Sequence, residues 1–216
     1  MAIIHRIGIP ENDSEARAIK HFGKDLPDDC FVFHNFEVTT GRGLPYEYDI
    51  AVLTPHALYH VEVKGYHGEI RGNPLQWIFE NGGIYPSPIP LANKKTKILA
   101  GKLKQHSHRL DPVFVETLIL LTEDRARAKL HDDQAGRVVH LRDAIDRLSD
   151  PRCLPVSTGN VAAEFKIAAG QLAPSSVPAI FVEPSGRCDR HQLSAPAFPS
   201  ARVSPGRAWP RSWRRK

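Results

Sequence analysis

The stretch that decides the fold is Tyr46 to Lys64, YEYDIAVL-TPH-ALYHVEVK. Tyr46–Leu53 and Ala57–Lys64 are rich in aromatic and β-branched residues, and Thr54-Pro55-His56 between them is turn chemistry. The spacing predicts two neighbouring strands. Side chains on a strand alternate faces, so Glu62 and Lys64 point the same way. The short turn brings Asp49, thirteen positions before Glu62, back beside it. Two carboxylates and a lysine are therefore expected at one edge of a sheet.

That trio implies a chemistry. Asp and Glu oxygens are hard ligands suited to Mg2+ or Mn2+, ions that keep waters and accept phosphate oxygens. Such an ion lowers the pKa of a bound water and offsets charge developing on a phosphoryl transition state. The carbonyl of Val63 can add an oxygen ligand, and Lys64 can orient the water or neutralise charge. Phosphodiester hydrolysis needs these parts and no organic cofactor. Glu-x-Lys alone carries little, because Glu164-Phe165-Lys166 repeats it on an expected helix with no acidic strand upstream. A Glu/Lys pair on one strand face is ordinarily a solvated ion pair of small worth. What singles out Glu62 and Lys64 is Asp49 on the preceding strand, with a helix before and after.

Outward from this hairpin, Cys30–Val38 (CFVFHNFEV) reads as a further strand, broken off by Gly41-Arg42-Gly43-Leu44-Pro45. Glu11–Phe22 reads as a helix capped by Asn12 or Asp13, with acids in its first turn. Ile70 and Trp77-Ile78-Phe79 suggest an added hairpin. Pro86, Pro88 and Pro90 mark an extended connection into a long basic helix over Leu91–Leu110, with Ile98, Leu99, Leu103 and Leu110 near one side. Val113–Leu121 is a buried strand by composition. A short strand over Arg137–His140 and a short helix over Leu141–Leu148 follow, then a helix over Asn160–Leu172 and a strand over Ala179–Val182. The order α-β-β-β-α-β predicts an α/β domain with a central mixed sheet flanked by helices. Domain boundaries are expected at 1–150 for the body, 151–183 for an extension or linker and 184–216 for a tail.

Composition supports this layout. The chain has 216 residues, with 29 Lys+Arg against 24 Asp+Glu. Seven Arg and one Lys stand against a single Asp in residues 184–216, so the basic excess lies there and the rest is close to neutral. Five Pro and repeated Ser in that segment predict a disordered tail. Its composition also fits a reading frame entered out of phase, as if a longer parent were truncated near residue 184. No apolar run approaches the ~18 residues of a membrane span. Cys30, Cys153 and Cys188 give neither a disulfide framework nor a C-x-x-C zinc motif. A reduced, cytoplasmic protein with no membrane association is expected. Gly101-Lys102 lacks the upstream glycine of a phosphate-binding loop, and Gly41-x-Gly43 lacks the third glycine of a dinucleotide fingerprint. His34-Asn35, on an apolar strand, reads as structural.

The same residues resemble a known family. Glu15-Ala16, Leu26-Pro27-Asp28, Phe33-His34-Asn35, Glu47-Tyr48-Asp49-Ile50, Leu58-Tyr59, Val61-Glu62-Val63-Lys64-Gly65-Tyr66, Gly68-Glu69-Ile70 and Trp77 are similar to the NERD (nuclease-related) domain of the PD-(D/E)xK nuclease superfamily. The Pro-rich entry to the basic helix at 86–105 fits as well, and the likeness covers about residues 11–122. It implies a restriction-endonuclease-like core and active residues at Asp49, Glu62 and Lys64, with metal held by Asp49, Glu62 and Val63. Glu15 is either an auxiliary catalytic acid or a first-turn acid favoured by the helix dipole. Glu47 either assists or is a solvated acid. Lys94, Lys95, Lys97, Lys102 and Gln105 on the second helix are the candidates for nucleic-acid contact, against a merely soluble helix face. The resulting expectation is a Mg2+- or Mn2+-dependent nuclease acting on DNA. The rival is a nuclease-like DNA-binding or regulatory module without turnover, cut from a larger kinase- or helicase-linked protein.

Overall fold

The computed structural model describes residues 1–40, 43, 45–131 and 135–154. The expected helix over 160–172, the strand over 179–182, the basic tail and the second Glu-x-Lys at 164–166 lie outside the described residues.

Strand β1 (Ile3–Arg6) leads to helix α1 (Asp13–Asp25), then β2 (Phe31–Val38), β3 (Tyr46–Leu53) and β4 (Leu58–Lys64). Three short strands follow, β5 (Glu69–Gly72), β6 (Gln76–Phe79) and β7 (Ile84–Pro86), before helix α2 (Ile89–His106). Strands β8 (Val115–Leu121), β9 (Arg127–Leu130) and β10 (Val138–His140) and the short helix α3 (Ala144–Ser149) complete the described chain. The central sheet has the order β1-β2-β3-β4-β8-β10. It is mixed: β2, β3 and β4 are antiparallel, while β1, β8 and β10 each pair parallel to a neighbour. A second sheet, β7-β6-β5-β9, enlarges the anticipated hairpin to four strands.

Local chemistry explains the element limits. Asn12 caps α1, its Oδ1 accepting from Glu15 N at 3.0 Å, and Ala18, Ile19 and Phe22 form its buried stripe. Helix α2 starts at Ile89, two residues earlier than the sequence suggested, because Pro88 is its N-cap and Pro90 falls in the first turn, where no N–H is missed. It ends at His106 rather than Leu110. Ser107 turns extended there, and its hydroxyl accepts from Arg109 N at 3.3 Å to start a 3-10 turn over His108–Leu110. Leu110 is still buried, but from that turn.

Two helical layers cover the central sheet. On one face α2 places Leu99 and Leu103 against Phe33, Phe36, Tyr48, Ala51, Leu53 and Leu58. On the other, Ala18 and Phe22 of α1 and Leu148 of α3 pack on Val32, Ile50, Val52, Tyr59, Val61 and Leu118. Trp77 and Phe79 of the small sheet close a third cluster against Ile89 of α2 and Ile119 and Leu121 of β8. Strand β4 therefore runs through the interior of the central sheet, and its C-terminal end lies under the first turns of α2. No helix among the described residues is long and apolar enough to cross a membrane.

Candidate active site

The site begins where a ladder stops. Thr54 closes the β3–β4 turn, its N–H donating to Ala57 O at 2.9 Å, and pairing runs from Leu53↔Leu58 to Ile50↔Val61. One residue further, the strands part. The backbone N–H of Val63 there donates to the carboxylate of Asp49 (Oδ2, 2.7 Å). At the same level β2 is distorted: Asn35 has φ +53°, in the left-handed region, and its place between the pairs His34↔Ile50 and Phe36↔Tyr48 puts it opposite Asp49. The kink exchanges the faces of both strands. Phe31 and Phe33 before it, and Phe36 and Val38 after it, all reach the α2 side, as do Ala51 and Tyr48 in β3. Asp49 thus lies at the crossover, half-buried, with its carboxylate doing the work of a missing backbone acceptor.

Glu62 and Lys64 project from β4 toward α2. Glu62 is 8% exposed and meets two ammonium groups: Lys64 Nζ is 2.9 Å from Oε1, and Lys95 Nζ is 2.7 Å from Oε2. Beneath them His60 is fully buried. Its Nδ1 shares a 2.9 Å hydrogen bond with Thr96 Oγ1, which in turn meets Thr117 Oγ1 at 2.7 Å. Its Nε2 lies 3.7 Å from Glu62 Oε2, too long for a hydrogen bond. Tyr48 stands edge-on to the His60 ring, and its hydroxyl donates to the carbonyl of Lys95 at 2.8 Å. Val63 turns its side chain into the opposite core and presents only backbone at this level.

The charges at this point shift one another. Burial, with repulsion from Glu62 second, pushes the Asp49 carboxyl up to about 7, against the pull of Lys64 and Lys95. Burial would also raise Glu62, but Lys64 and Lys95 outweigh it and hold that carboxyl well below the usual range. Burial likewise opposes charge on Lys64, yet Glu62 and Asp49 overcome this and raise its pKa. His60 is lowered by burial in spite of Glu62, so it is neutral at pH 7. The outcome is one firmly ionised carboxylate between two ammonium groups, beside a second carboxyl that holds a proton easily.

Glu15 is placed at the site by α1, but as a buttress. It is 4% exposed and its acceptors are engaged: Oε2 takes Glu11 N (2.9 Å) and Asn35 Nδ2 (2.7 Å), and Oε1 takes Asn12 Nδ2 (2.6 Å). Helix α1 comes this close because Gly65, just after Lys64, has no side chain. A Cβ there would stand 2.4 Å from Ser14 Oγ. His34-Asn35, read from sequence as merely structural, is therefore part of the assembly: His34 Nδ1 contacts Asn35 Oδ1 at 2.9 Å, and Asn35 links Glu15 to the strand beside Asp49. Asn35, Tyr48 and Asp49 line an open cleft of about 50 Å³ together with Ile9, Glu11 and Glu47. Glu47 is exposed on its wall.

The five helix residues named for nucleic-acid contact separate. Lys95 is 8% exposed and faces inward to Glu62, so it belongs to the charge cluster and not to a phosphate-tracking surface. Lys94 and Lys97 are exposed and Lys102 is half-exposed. The Lys94 ammonium stands 5.3 Å from the Tyr46 ring centroid. Gln105 is exposed and ten residues beyond Lys95, about 15 Å along the helix axis, so it does not join the carboxylates. Lys95, His60 and Asn35 are the site residues whose roles the sequence reading missed. A signal existed for Lys95: it shares the buried stripe of Ala92, Thr96, Leu99 and Leu103, where an unpaired lysine would be costly.

As a donor set, Asp49, Glu62 and the backbone at Val63 suit a hard divalent ion. The mutual repulsion of the two carboxyls is itself a demand for positive charge between them. Among the described residues no group of three or more His, Cys, Asp or Glu side chains converges for metal binding. An ion held here would keep most of its coordination for water and phosphate oxygens, as Mg2+ does.

A region of the "Probable kinase PglW" of Streptomyces coelicolor is 29% identical to the chain over 168 residues, covering 72% of this chain and 11% of that protein. The chain thus spans about a ninth of that relative's length. No solved structure matches it. The nuclease-related domain profile matches residues 10–122, more than half the chain, running from just before α1 to just after β8 and containing every residue of the carboxylate–lysine cluster. The chain belongs to the nuclease-related domain (NERD) family, within the PD-(D/E)xK superfamily.

Proposed function

We propose that this protein is a metal-dependent nuclease that hydrolyses DNA phosphodiester bonds on a restriction-endonuclease-like core. The observation that carries the reading is the meeting of Asp49, Glu62 and Lys64 at the parting of β3 and β4. Asp49, Glu62 and the Val63 carbonyl would hold Mg2+ or Mn2+. When bound, that ion supplies an activated water and neutralises phosphate charge. Lys64, fixed by Glu62 at 2.9 Å and still partly exposed, can orient the attacking water and stabilise charge as the phosphate bond breaks. Glu15 and Asn35 set the height of Asp49 through the kinked strand. The exposed ammonium groups of Lys94 and Lys97, with the half-exposed Lys102, offer the flanking phosphates a sequence-independent grip. A cytoplasmic location suits such a substrate.

A second reading has its own support. Both oxygens of Glu62 are held by ammonium groups, and the chain corresponds to only 11% of a relative named as a probable kinase. A DNA-binding or regulatory module without turnover, working inside a larger protein, would show the same features. Incubation with linear, covalently closed circular and single-stranded DNA in Mg2+, Mn2+ or EDTA separates the two. The nuclease reading expects metal-dependent cleavage that Asp49→Asn, Glu62→Gln and Lys64→Met abolish and that Glu164→Gln leaves intact. Absence of cleavage, or cleavage indifferent to the three site variants, would leave the binding module as the function.

A further inference from the structure

Glu62 carries two ammonium groups where a hydrolytic trio needs one. Lys64 reaches Oε1 from its own strand face, but Lys95 arrives at Oε2 from α2, 33 positions away in sequence. It does so from a buried stripe otherwise made of Ala92, Thr96, Leu99 and Leu103. An ammonium in such a place is costly unless it is paired, so its pairing with Glu62 is what allows it there. The main-chain carbonyl of Lys95 is held by the Tyr48 hydroxyl at 2.8 Å, and its Nζ already lies 5.8 Å from the Tyr48 ring centroid. Tyr48 also lines the cleft beside Asp49. The ammonium therefore has a second resting place, over an aromatic face at the edge of that cleft.

We propose that Lys95 is a built-in counter-cation that occupies Glu62 Oε2 in the ion-free protein and yields it when a divalent ion enters. Its head then rests over Tyr48, toward the cleft. This rests on the nuclease reading, which supplies the ion. It explains why a carboxylate that is 8% exposed is stable without metal, and it makes Lys95 a competitor of the ion rather than a partner. The ion's affinity is then set by the exchange of one cation for another.

Calorimetric titration with Mg2+ tests this on wild type, Lys95→Met and Lys95→Gln. Both variants remove the charge and keep most of the side chain's length, each being one heavy atom shorter. They should bind Mg2+ about tenfold more tightly than wild type, because the competing charge is gone. They should also melt earlier than wild type in EDTA and regain part of the loss in Mg2+. Equal or weaker Mg2+ affinity in the variants would overturn the role of Lys95. Should neither variant fold, 15N-lysine spectra of wild type decide: the Lys95 ammonium resonance must move as Mg2+ binds, and a stationary signal would refute displacement. Wild type that binds Mg2+ and cleaves DNA, with variants binding no tighter, overturns this inference alone. Failure of wild type and variants alike to bind Mg2+ or cleave DNA overturns the nuclease reading with it.

Discussion

Asp49→Asn should stabilise the metal-free protein, and by an amount that grows with pH. In the folded state the Asp49 carboxyl holds its proton up to about 7, against an ordinary 3.8, chiefly because of burial and then Glu62. A carboxyl raised in this way contributes stability only while protonated. Between 3.8 and about 7 the folded protein binds a proton that the unfolded chain has lost, so each unit of rising pH costs wild type about 1.4 kcal/mol. The loss is complete above pH 7 and reaches about 4 kcal/mol. Asn pays none of it, and its side-chain oxygen can still accept from Val63 N as Asp49 does now. His5, His34, His60 and His140 are all lowered by burial, but both proteins carry them and they cancel in the difference. Urea denaturation of the two proteins in EDTA at pH 5, 6, 7 and 8 measures that difference directly. The advantage of Asp49→Asn should roughly double or more from pH 5 to pH 7 and then level off. A flat difference, or a less stable variant at pH 8, would refute the account of Asp49 as a carboxyl waiting for a cation.

Two further perturbations bear on the rest of the cluster. Glu62→Gln leaves Lys64 and Lys95 facing a neutral amide and should cost about 2 kcal/mol in urea denaturation at pH 7, after Asp49 takes up part of their charge; a neutral effect would mean that the paired ammonium groups find water instead. Asn35→Ala loses the amide to Glu15 and strains a backbone at φ +53°, for about 2–3 kcal/mol, whereas Asn35→Gly loses only the amide and should be about 1 kcal/mol less harmful; the reverse order in thermal melts would show that the kink is not what Asn35 provides.

The hairpin Tyr46–Lys64 was legible because its information is local: strand composition, a tight turn, and alternation that fixes the face of Glu62 and Lys64. Glu15 was legible as a first-turn acid of α1, and in the structure its carboxylate also accepts from Glu11 N and Asn35 Nδ2. Strands β1 and β9 were not legible. Each has four residues, and each exists only through parallel pairing with a partner over twenty residues away, β2 and β5. Asn35 escaped for a related reason. Its role depends on lying opposite Asp49 across a pair of strands, and on a backbone conformation that periodicity does not reveal. Lys95 was visible as a lysine but was assigned to the surface by its neighbours Lys94 and Lys97. Lys94 lies one helical step before it and Lys97 two steps after, turns of roughly 100° and 200°, and those rotations separate solvent from Glu62.

Beyond the kink, Phe36–Val38 and Tyr46–Tyr48 continue as a two-stranded arm that has left β4 behind. This ribbon joins the rest of the sheet at the level of Asn35 and Asp49. Its far side is tied to α2, by the Tyr48 hydroxyl on the Lys95 carbonyl and by Tyr46 beneath the Lys94 ammonium. The arm is therefore joined to the first turns of α2, whereas seven parallel pairs bind β4 to β8. Glu62 and Lys64 thus stand on a strand bound to β8 along its whole length, while Asp49 and Lys95 come from a ribbon and a helix that are joined to each other.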